Sequence, residues 1–402
     1  MKILAVLLLL LAACLTAVPT ALAAQPGGGL SQPGARMVLR RGWSIQSSAK
    51  AAESGSVIST PHFQTLGWYP TSVPSTVLAA LVANKVYPNP DFGMNLRSIP
   101  GATYPIGGNF SLMPMPPDSP FRPGWWYRTQ FSLPAGTQGK TLWLHFGGIN
   151  NSANIWLNGR QVASPDQVNG MRRNYEFNVT GEAMPGQINT LAVEIFAPTP
   201  ADLAITFVDW NPLPPDKDMG LFRDVYLTLS GPVAVRNPQV TTKLDLPSLD
   251  AAHLTVAADV ENATGQPVDG VLKAMMGEIE ISQNVSLAPH QTKRVVFTPA
   301  GYPQLNLSHP KLWWPWQYGP QDLYHMHLEF EAGGQTSDRQ NVQFGIREIS
   351  SQLDAQNHRF FIVNGKKILI RGGGWSPDMM LRPRPQKVED EIRYARDMHL
   401  NT

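Results

Sequence analysis

Cysteine is nearly absent from this chain of 402 residues, whose single thiol is Cys14. Cys14 lies in an apolar N-terminal segment that the sequence predicts to be removed. The rest of the chain has no thiol, so disulfides and cysteine-ligated metals are excluded. The stability of the fold must therefore come from the size of its hydrophobic core.

Strong charge of either sign is also lacking. Charged residues make up 15% of the chain, and 32 Lys and Arg nearly balance 30 Asp and Glu, for a formal net charge of +2. Such a chain has no strong field to attract nucleic acid, so no nucleic-acid partner is predicted. Hydrophobic residues at 43% indicate a globular protein with a substantial core.

Motifs for phosphate, dinucleotide and zinc binding are missing. The glycine run at residues 372–374 matches neither the P-loop pattern nor the Rossmann fingerprint, and no two histidines have HExxH spacing. Neither a cofactor nor a metal is predicted.

The first 24 residues read as a secretory signal peptide. Lys2 precedes an apolar run at residues 3–15, and the small residues Ala21-Leu22-Ala23-Ala24 follow. The run is shorter than the ~20 residues of a transmembrane helix, so no transmembrane span is predicted. The segment Leu11-Ala12-Ala13-Cys14 also resembles a lipoprotein box, which leaves a lipid anchor at Cys14 as the alternative. The protein is expected to be secreted or periplasmic.

Short strands dominate the pattern that follows. Residues 25–40 are rich in Gly, Pro and Ser and are predicted to be a linker. From 41 to 230 short alternating segments recur, and Asn158-Gly159 is a strong hairpin signal. This region predicts a jelly-roll β-sandwich. Residues 231–345 alternate similarly, with 36 Pro and 34 Gly spread along the whole chain, and predict an immunoglobulin-like β-sandwich.

The pattern changes after residue 345. A hairpin is predicted at Asn364-Gly365, a glycine loop at 372–374, a helix at 385–398 and a new strand at 399–402. Strand, loop, helix and strand are the opening of a (β/α)8 barrel. A complete barrel needs ~250 residues, so residues 346–402 are expected to be its truncated start.

Four segments in register resemble glycoside hydrolase family 2, in its exo-β-D-glucosaminidase and β-mannosidase branch. They are Trp126-Tyr127-Arg128 with Leu144 to Ile149 and Ile155 to Gly159; Gly220-Leu221-Phe222-Arg223-Asp224-Val225; Leu312-Trp313-Trp314-Pro315 with Tyr318-Gly319 and Leu323-Tyr324; and Phe344-Gly345-Ile346-Arg347 with Asn364-Gly365-Lys366 and residues 370–375. Asp209-Trp210-Asn211-Pro212 is similar to a stretch of β-mannosidases. Residues 372–378 are similar to a segment of exo-β-glucosaminidases that act on chitosan ends.

The resemblance implies a retaining exo-glycosidase that removes terminal glucosamine from chitosan-type oligosaccharides. Such enzymes use two carboxyl groups ~5–5.5 Å apart. In the family both come from later barrel strands, beyond Thr402, so no catalytic residue is assigned and this chain alone is expected to be inactive. A β-mannosidase of the same family is one alternative. The other is a non-catalytic, secreted carbohydrate-binding protein built from β-sandwiches.

Four residues are predicted to bind substrate. The resemblance implies that Asp209 and Trp210 reach the terminal sugar, and a carboxylate beside an indole suits a sugar or its ammonium group. Asp378 and Trp375 follow the glycine loop at a strand end, where barrels build their sites. A turn or helix cap is the alternative for each Asp, and a core position is the alternative for each Trp.

Two further groups of residues receive structural interpretations. The segment Asp216-Lys217-Asp218 is predicted to be a solvated charged loop. In some relatives of the family an Asp near this position helps to hold a cation, which is the alternative. The tryptophans at 313, 314 and 316 are predicted to pack where the second sandwich meets the barrel.

Overall fold

The computed structural model describes residues 29–102, 113–204, 208 and 212–402. The signal-peptide and Cys14 predictions, and the predicted sugar contacts Asp209 and Trp210, lie outside these ranges. The mainly β fold is confirmed, with two β-sandwiches followed by a smaller sheet and a helix. Within the described ranges no helix is long and apolar enough to cross a bilayer.

The first sandwich packs a four-stranded sheet, in the order β1-β12-β6-β9, against a six-stranded sheet, in the order β3-β2-β5-β10-β7-β8. A strand pair β4-β11 lies beside them, with two short helices, α1 (Gly55–Ile58) and α2 (Val77–Ala83). The strands are β1 (Arg36–Val38), β2 (Trp43–Ser47), β3 (Tyr69–Thr71), β4 (Ser75–Thr76), β5 (Trp125–Ser132), β6 (Thr141–Phe146), β7 (Ser152–Leu157), β8 (Arg160–Ala163), β9 (Tyr175–Asn178), β10 (Ile188–Phe196), β11 (Gly220–Leu221) and β12 (Val225–Ser230).

Strand β5 is buried on both faces, which explains its almost continuous run of large side chains. Tyr127 and Phe131 point into the main core, whereas Trp126 packs with Ile58 of α1 on the other side. The Arg128 guanidinium reaches the same side and donates to the carbonyls of Ile58 and Thr60, both at 2.9 Å. Successive side chains of β5 therefore point alternately into two different buried layers.

The hairpin predicted at Asn158-Gly159 is confirmed. The two residues join β7 to β8 with φ angles of 51° and 84°. Positive φ at both central positions is typical of the two-residue turn that matches strand twist, and Asn and Gly tolerate it best. The Asn158 amide also donates to the Glu182 carbonyl at 2.8 Å.

The linker predicted over residues 25–40 is wrong in its C-terminal part. Strand β1 lies within it and pairs antiparallel with β12, and Leu30, Met37 and Leu39 are buried in the first core. This strand has only three residues, which are too few to show the alternation of apolar and polar side chains that predicts a strand. The surrounding Gly, Pro and Ser residues therefore indicated a linker.

The second sandwich pairs two four-stranded sheets around a separate core. One sheet has the order β13-β14-β17 with β18 also on β14, and the other has the order β16-β15-β19-β20. The alternating residues of β14, Leu254, Val256, Ala258 and Val260, all point into this core. The strands are β13 (Val233–Leu244), β14 (Ala251–Asn262), β15 (Val268–Met276), β16 (Ile279–Leu287), β17 (Thr292–Phe297), β18 (Asn306–Ser308), β19 (Tyr324–Ala332) and β20 (Gln335–Phe344).

The last unit contains a three-stranded sheet and a helix. Its elements are β21 (Ile349–Leu353), β22 (Arg359–Val363), β23 (Lys366–Ile368) and α3 (Pro385–Asp397). The Asn364-Gly365 hairpin and the helix are confirmed. The strand predicted at 399–402 is wrong: Asn401 instead bonds residues 369–371 through its backbone N–H and its side chain, without forming a ladder. Membership of this unit in a complete barrel stays a prediction, as do the domain boundaries.

Tryptophans hold this last unit to the second sandwich, as predicted. Trp314 packs with Val363 and Ile368. The Trp316 indole donates to the Leu400 carbonyl at 3.0 Å and stacks on His399.

Candidate functional site

The loop between β23 and α3 folds back onto the first sandwich and forms a cavity with it. Residues 375–391 supply one wall, and residues 171–172 and 222–223 of the first sandwich supply the other. The cavity has a volume of about 410 Å³. Trp375 and Asp378, predicted from sequence as substrate contacts in one pocket, both line it.

Trp375 is held at the rim of this cavity. Its indole N–H donates to the Glu391 carboxylate of α3 at 2.9 Å, while 62% of the residue remains exposed. An aromatic side chain with its edge fixed and its face open can cover the apolar face of a sugar ring. The core position considered as its alternative does not fit this exposure.

Asp378 is bound by two arginines. Its carboxylate accepts from the Arg382 guanidinium at 2.8 Å through both oxygens, and Arg384 Nε lies 3.3 Å from Oδ2. Burial raises the pKa of this carboxyl, but the bonds and charge of Arg382 outweigh burial, so the pKa lies below its usual value. Arg382 also bonds Asp91 at 2.6 Å. Asp378 therefore holds Arg382 in place, and Arg382 links the loop to the first sandwich through Asp91. A substrate ammonium would have to compete with two arginines for Asp378.

The cavity has more basic than acidic side chains. Asp378 and Glu391 are the acidic groups among its described lining residues, against Arg172, Arg223, Arg382, Arg384 and Lys387. These donors suit hydroxyl and ring oxygens. Asp209, the residue predicted to bind a sugar or its ammonium group, lies outside the described residues.

Asp216 and Asp218 behave differently from the sequence-based interpretation. The prediction of a solvated loop is wrong, because both aspartates are fully buried and Lys217 nearly so. Positive φ angles of 51° and 56° at Lys217 and Asp218 turn the loop inward. The flanking Pro214-Pro215 and Met219 were the available signal, since an apolar frame is unusual for a solvated charged loop.

A larger cavity of about 800 Å³ lies between the two sandwiches. Its aromatic side chain Tyr226 is covered on both faces, by His145 at 4.4 Å and by the Arg36 guanidinium at 3.9 Å. Glu176 there pairs with His145 at 3.0 Å and with Arg236. Since these groups satisfy one another and both faces of Tyr226 are covered, the smaller cavity, with its exposed Trp375, is the better candidate site.

Comparison with known proteins decides the family. Residues 121–220 match the model "Glycosyl hydrolase 2 galactose-binding domain-like", and residues 233–347 match the model "Glycosyl hydrolases family 2". The chain belongs to glycoside hydrolase family 2.

Curated relatives of this family member include an exo-β-D-glucosaminidase of Streptomyces avermitilis. It is 38% identical over 90% of this chain and 38% of its own length. The crystal structure of Amycolatopsis orientalis exo-chitosanase CsxA superposes with a TM-score of 0.80 at 35% identity, over 91% of this chain and 40% of that one. Beta-mannosidase B of Aspergillus terreus is more distant, at 25% identity over 64% of this chain and 32% of its own length. The chain spans less than half the length of these relatives.

The described residues of this family member contain no group of three or more His, Cys, Asp or Glu side chains arranged to hold a metal ion.

Proposed function

We propose that the whole protein is an exported, retaining exo-β-D-glucosaminidase that removes terminal glucosamine from chitosan-type oligosaccharides. The 38% identity to an exo-β-D-glucosaminidase over 90% of this chain carries the proposal. The chain contributes both sandwiches and one wall of the substrate site. Two carboxyl groups ~5–5.5 Å apart, supplied by a barrel, carry out the double displacement.

Within this proposal Trp375 covers one face of a bound sugar, and the donors around it bind sugar oxygens. Asp209 and Trp210 contact the terminal sugar, with Asp209 pairing with its ammonium. Asp378 contributes its charge from behind Arg382, and contacts substrate only if that pair opens. Trp375 is the contact that the geometry supports best, because its ring is fixed and open.

The decisive experiment is to express the complete reading frame and to assay it on PNP-β-D-glucosamine and PNP-β-D-mannoside. We expect kcat/KM to favour the glucosamine derivative by at least about 100-fold, because a site that pairs with an ammonium leaves its carboxylate unpaired when a hydroxyl takes that place. A preference for the mannoside would establish the β-mannosidase alternative. Turnover of neither substrate, with retained chitosan-oligosaccharide binding, would establish the non-catalytic alternative.

The contribution of Trp375 is tested in the same complete protein. We expect Trp375→Ala to lower kcat/KM about fivefold, since one aromatic contact contributes ~1 kcal/mol and about 1.4 kcal/mol corresponds to a factor of ten. Trp375→Phe, which keeps a ring, should lose clearly less. Equal kcat/KM for wild type and the alanine variant would remove Trp375 from the site.

A further inference from the structure

Asp218 is a buried carboxylate that receives no hydrogen bond. It is fully buried, and neither of its side-chain oxygens has a partner in the part of the chain that the structure describes. The neighbouring Lys217 does not neutralise it, because the Lys217 ammonium donates to the Met113 carbonyl. An ionised carboxylate in such a place is very costly, so the group is far more stable with a proton.

Asp216 lies beside Asp218 and is also fully buried. It accepts from the Leu78 N–H at 2.7 Å and from the Asp218 N–H at 3.1 Å, and the nearby Thr76 hydroxyl also lowers its pKa. Burial outweighs these bonds and raises the pKa of Asp216 to about 7. Burial, then the charges of Asp216 and Asp378, raise the pKa of Asp218 well above its usual value.

The two aspartates lie under the loop that carries the candidate site. Met380 of that loop is buried in the core of the first sandwich, and the Thr76 hydroxyl donates to the Met380 carbonyl at 3.3 Å. Thr76 has one hydroxyl proton, for which the Met380 carbonyl and an ionised Asp216 compete. Asp378 of the same loop adds a charge that Arg382 keeps ionised.

In the described part of the chain, the cations of this loop, Arg382 and Arg384, are bound to Asp378 and do not pair with Asp216 or Asp218. The titratable groups facing the two aspartates are Tyr127 from β5, whose hydroxyl donates to the Ser75 carbonyl at 3.1 Å, and Asp378 from the loop. Asn150, the side chain packed from the other side, is uncharged and donates to the carbonyls of Lys217 and Asp218 at 2.9 Å.

We propose that protons on Asp216 and Asp218 keep residues 377–382 docked on the first sandwich, and that loss of these protons at rising pH releases the loop. Ionised Asp216 withdraws the Thr76 hydroxyl from Met380, and ionised Asp218 repels Asp378. The loop with Trp375 is thus closed in acid and open in base. The docking equilibrium belongs to this chain alone and holds whether or not the whole protein is a glucosaminidase.

The sign follows from linkage. The docked state holds its protons more tightly than the released state, in which solvated aspartates titrate near their usual value. Docking is therefore strongest below that value and weakens as pH rises through about 7, where Asp216 ionises. Between this usual value and the docked-state pKa of its own group, each linked proton weakens docking about tenfold per pH unit. For Asp216 this window ends at about 7, and for Asp218, whose pKa is raised well above its usual value, it extends to higher pH.

The test is hydrogen–deuterium exchange of the peptide covering residues 377–382 in the 402-residue chain, from pH 5 to pH 9, corrected for intrinsic exchange. We expect protection that falls from pH 5 upward, by up to about a hundredfold per unit while both protons are linked, and by about tenfold per unit above pH 7, where Asp218 alone still holds its proton. Asp218→Asn, which keeps the shape without the charge, should reduce this slope, and Asp216→Asn combined with it should abolish the slope. Asp224→Asn is the control, since its half-exposed carboxylate pairs with Arg40 on the same sandwich.

Two results would overturn the proposal. The first is wild-type protection that does not change with pH, which decides the matter even if the variants fail to fold. The second is restored protection at pH 9 on adding Na⁺ or Ca²⁺ to the wild type but not to Asp218→Asn, because the charge would then be neutralised by a cation rather than by protons.

Discussion

Gly220 shows how closely the backbone approaches itself beneath the candidate site. An added Cβ would lie 2.6 Å from both the Ser75 carbonyl oxygen and the Tyr127 hydroxyl, at a φ of +152°. Because neither atom belongs to a flexible side chain end, the β4-β11 pair must shift to accept even a methyl group. The glycine of the family motif is thus required by contact rather than by turn geometry alone.

We expect Gly220→Ala to lower the free energy of unfolding by about 2–3 kcal/mol, the usual result of overpacking. Gly136→Ala is the matched control, since nothing lies within 4 Å of its added Cβ, and it should change stability by less than ~0.5 kcal/mol. Urea denaturation followed by tryptophan fluorescence measures both. Equal stability of the two variants would show that the strand pair is looser than described.

At the scale of secondary structure, helix α3 has an exposed apolar face. Val388, Ile392 and Met398 lie on one face, as the sequence spacing predicts, and all three are exposed. An apolar helix face in water promotes association. The proposed barrel would cover this face, so a charged substitution on the face tests whether the barrel is there.

In the 402-residue chain Ile392→Glu should raise the monomer fraction in sedimentation, without lowering the melting temperature. In the complete protein the same change should destabilise by several kcal/mol, because a buried unpaired charge replaces an apolar contact. Leu66→Glu serves as the comparison, since Leu66 is 91% exposed and lies apart from α3. If Ile392→Glu has no effect on the complete protein, no barrel covers this face.

Elements with strong local signals were predicted well, and elements defined by long-range contacts were not. Asn158-Gly159 and Asn364-Gly365 dictate their turns through their own backbone preferences. Strand β1 exists because β12 offers an edge almost two hundred residues away, and the burial of Asp216 and Asp218 depends on α2 and the loop near Met380. No short segment of the sequence contains both residues of any of these contacts. For the site, the sequence singled out Trp375 and Asp378 but not the arginines that hold Asp378.

At the scale of the whole molecule, Arg236 ties the first sandwich to the second. Its guanidinium pairs with Glu176 of β9 and, at 3.1 Å, with Asp338 of β20, and lies over the Trp143 ring at 4.6 Å. The Arg236 side chain is 16% exposed and that of Asp338 only 3%. A largely desolvated charge that loses its partner is costly, so this network sets the orientation of the two sandwiches.

Arg236→Ala should therefore lower the free energy of unfolding by about 3 kcal/mol and separate the melting of the two sandwiches. Arg294→Ala, which breaks the more exposed pair with Asp259, should cost less than about 1 kcal/mol. Calorimetry distinguishes the two variants. A single unshifted transition for Arg236→Ala would mean that apolar contacts alone couple the sandwiches.

Under the proposed function, the anchoring of Met380 gives the first sandwich a part in substrate specificity. Because the Met380 side chain is buried in the core of the first sandwich, the conformation of its loop depends on how that core packs. Substitutions about three hundred residues upstream can then change the shape of the cavity around Trp375, although every residue that lines the cavity stays the same. On the same proposal, two enzymes with identical residues around this cavity would differ in the sugars they accept if their sandwiches held the loop at different depths.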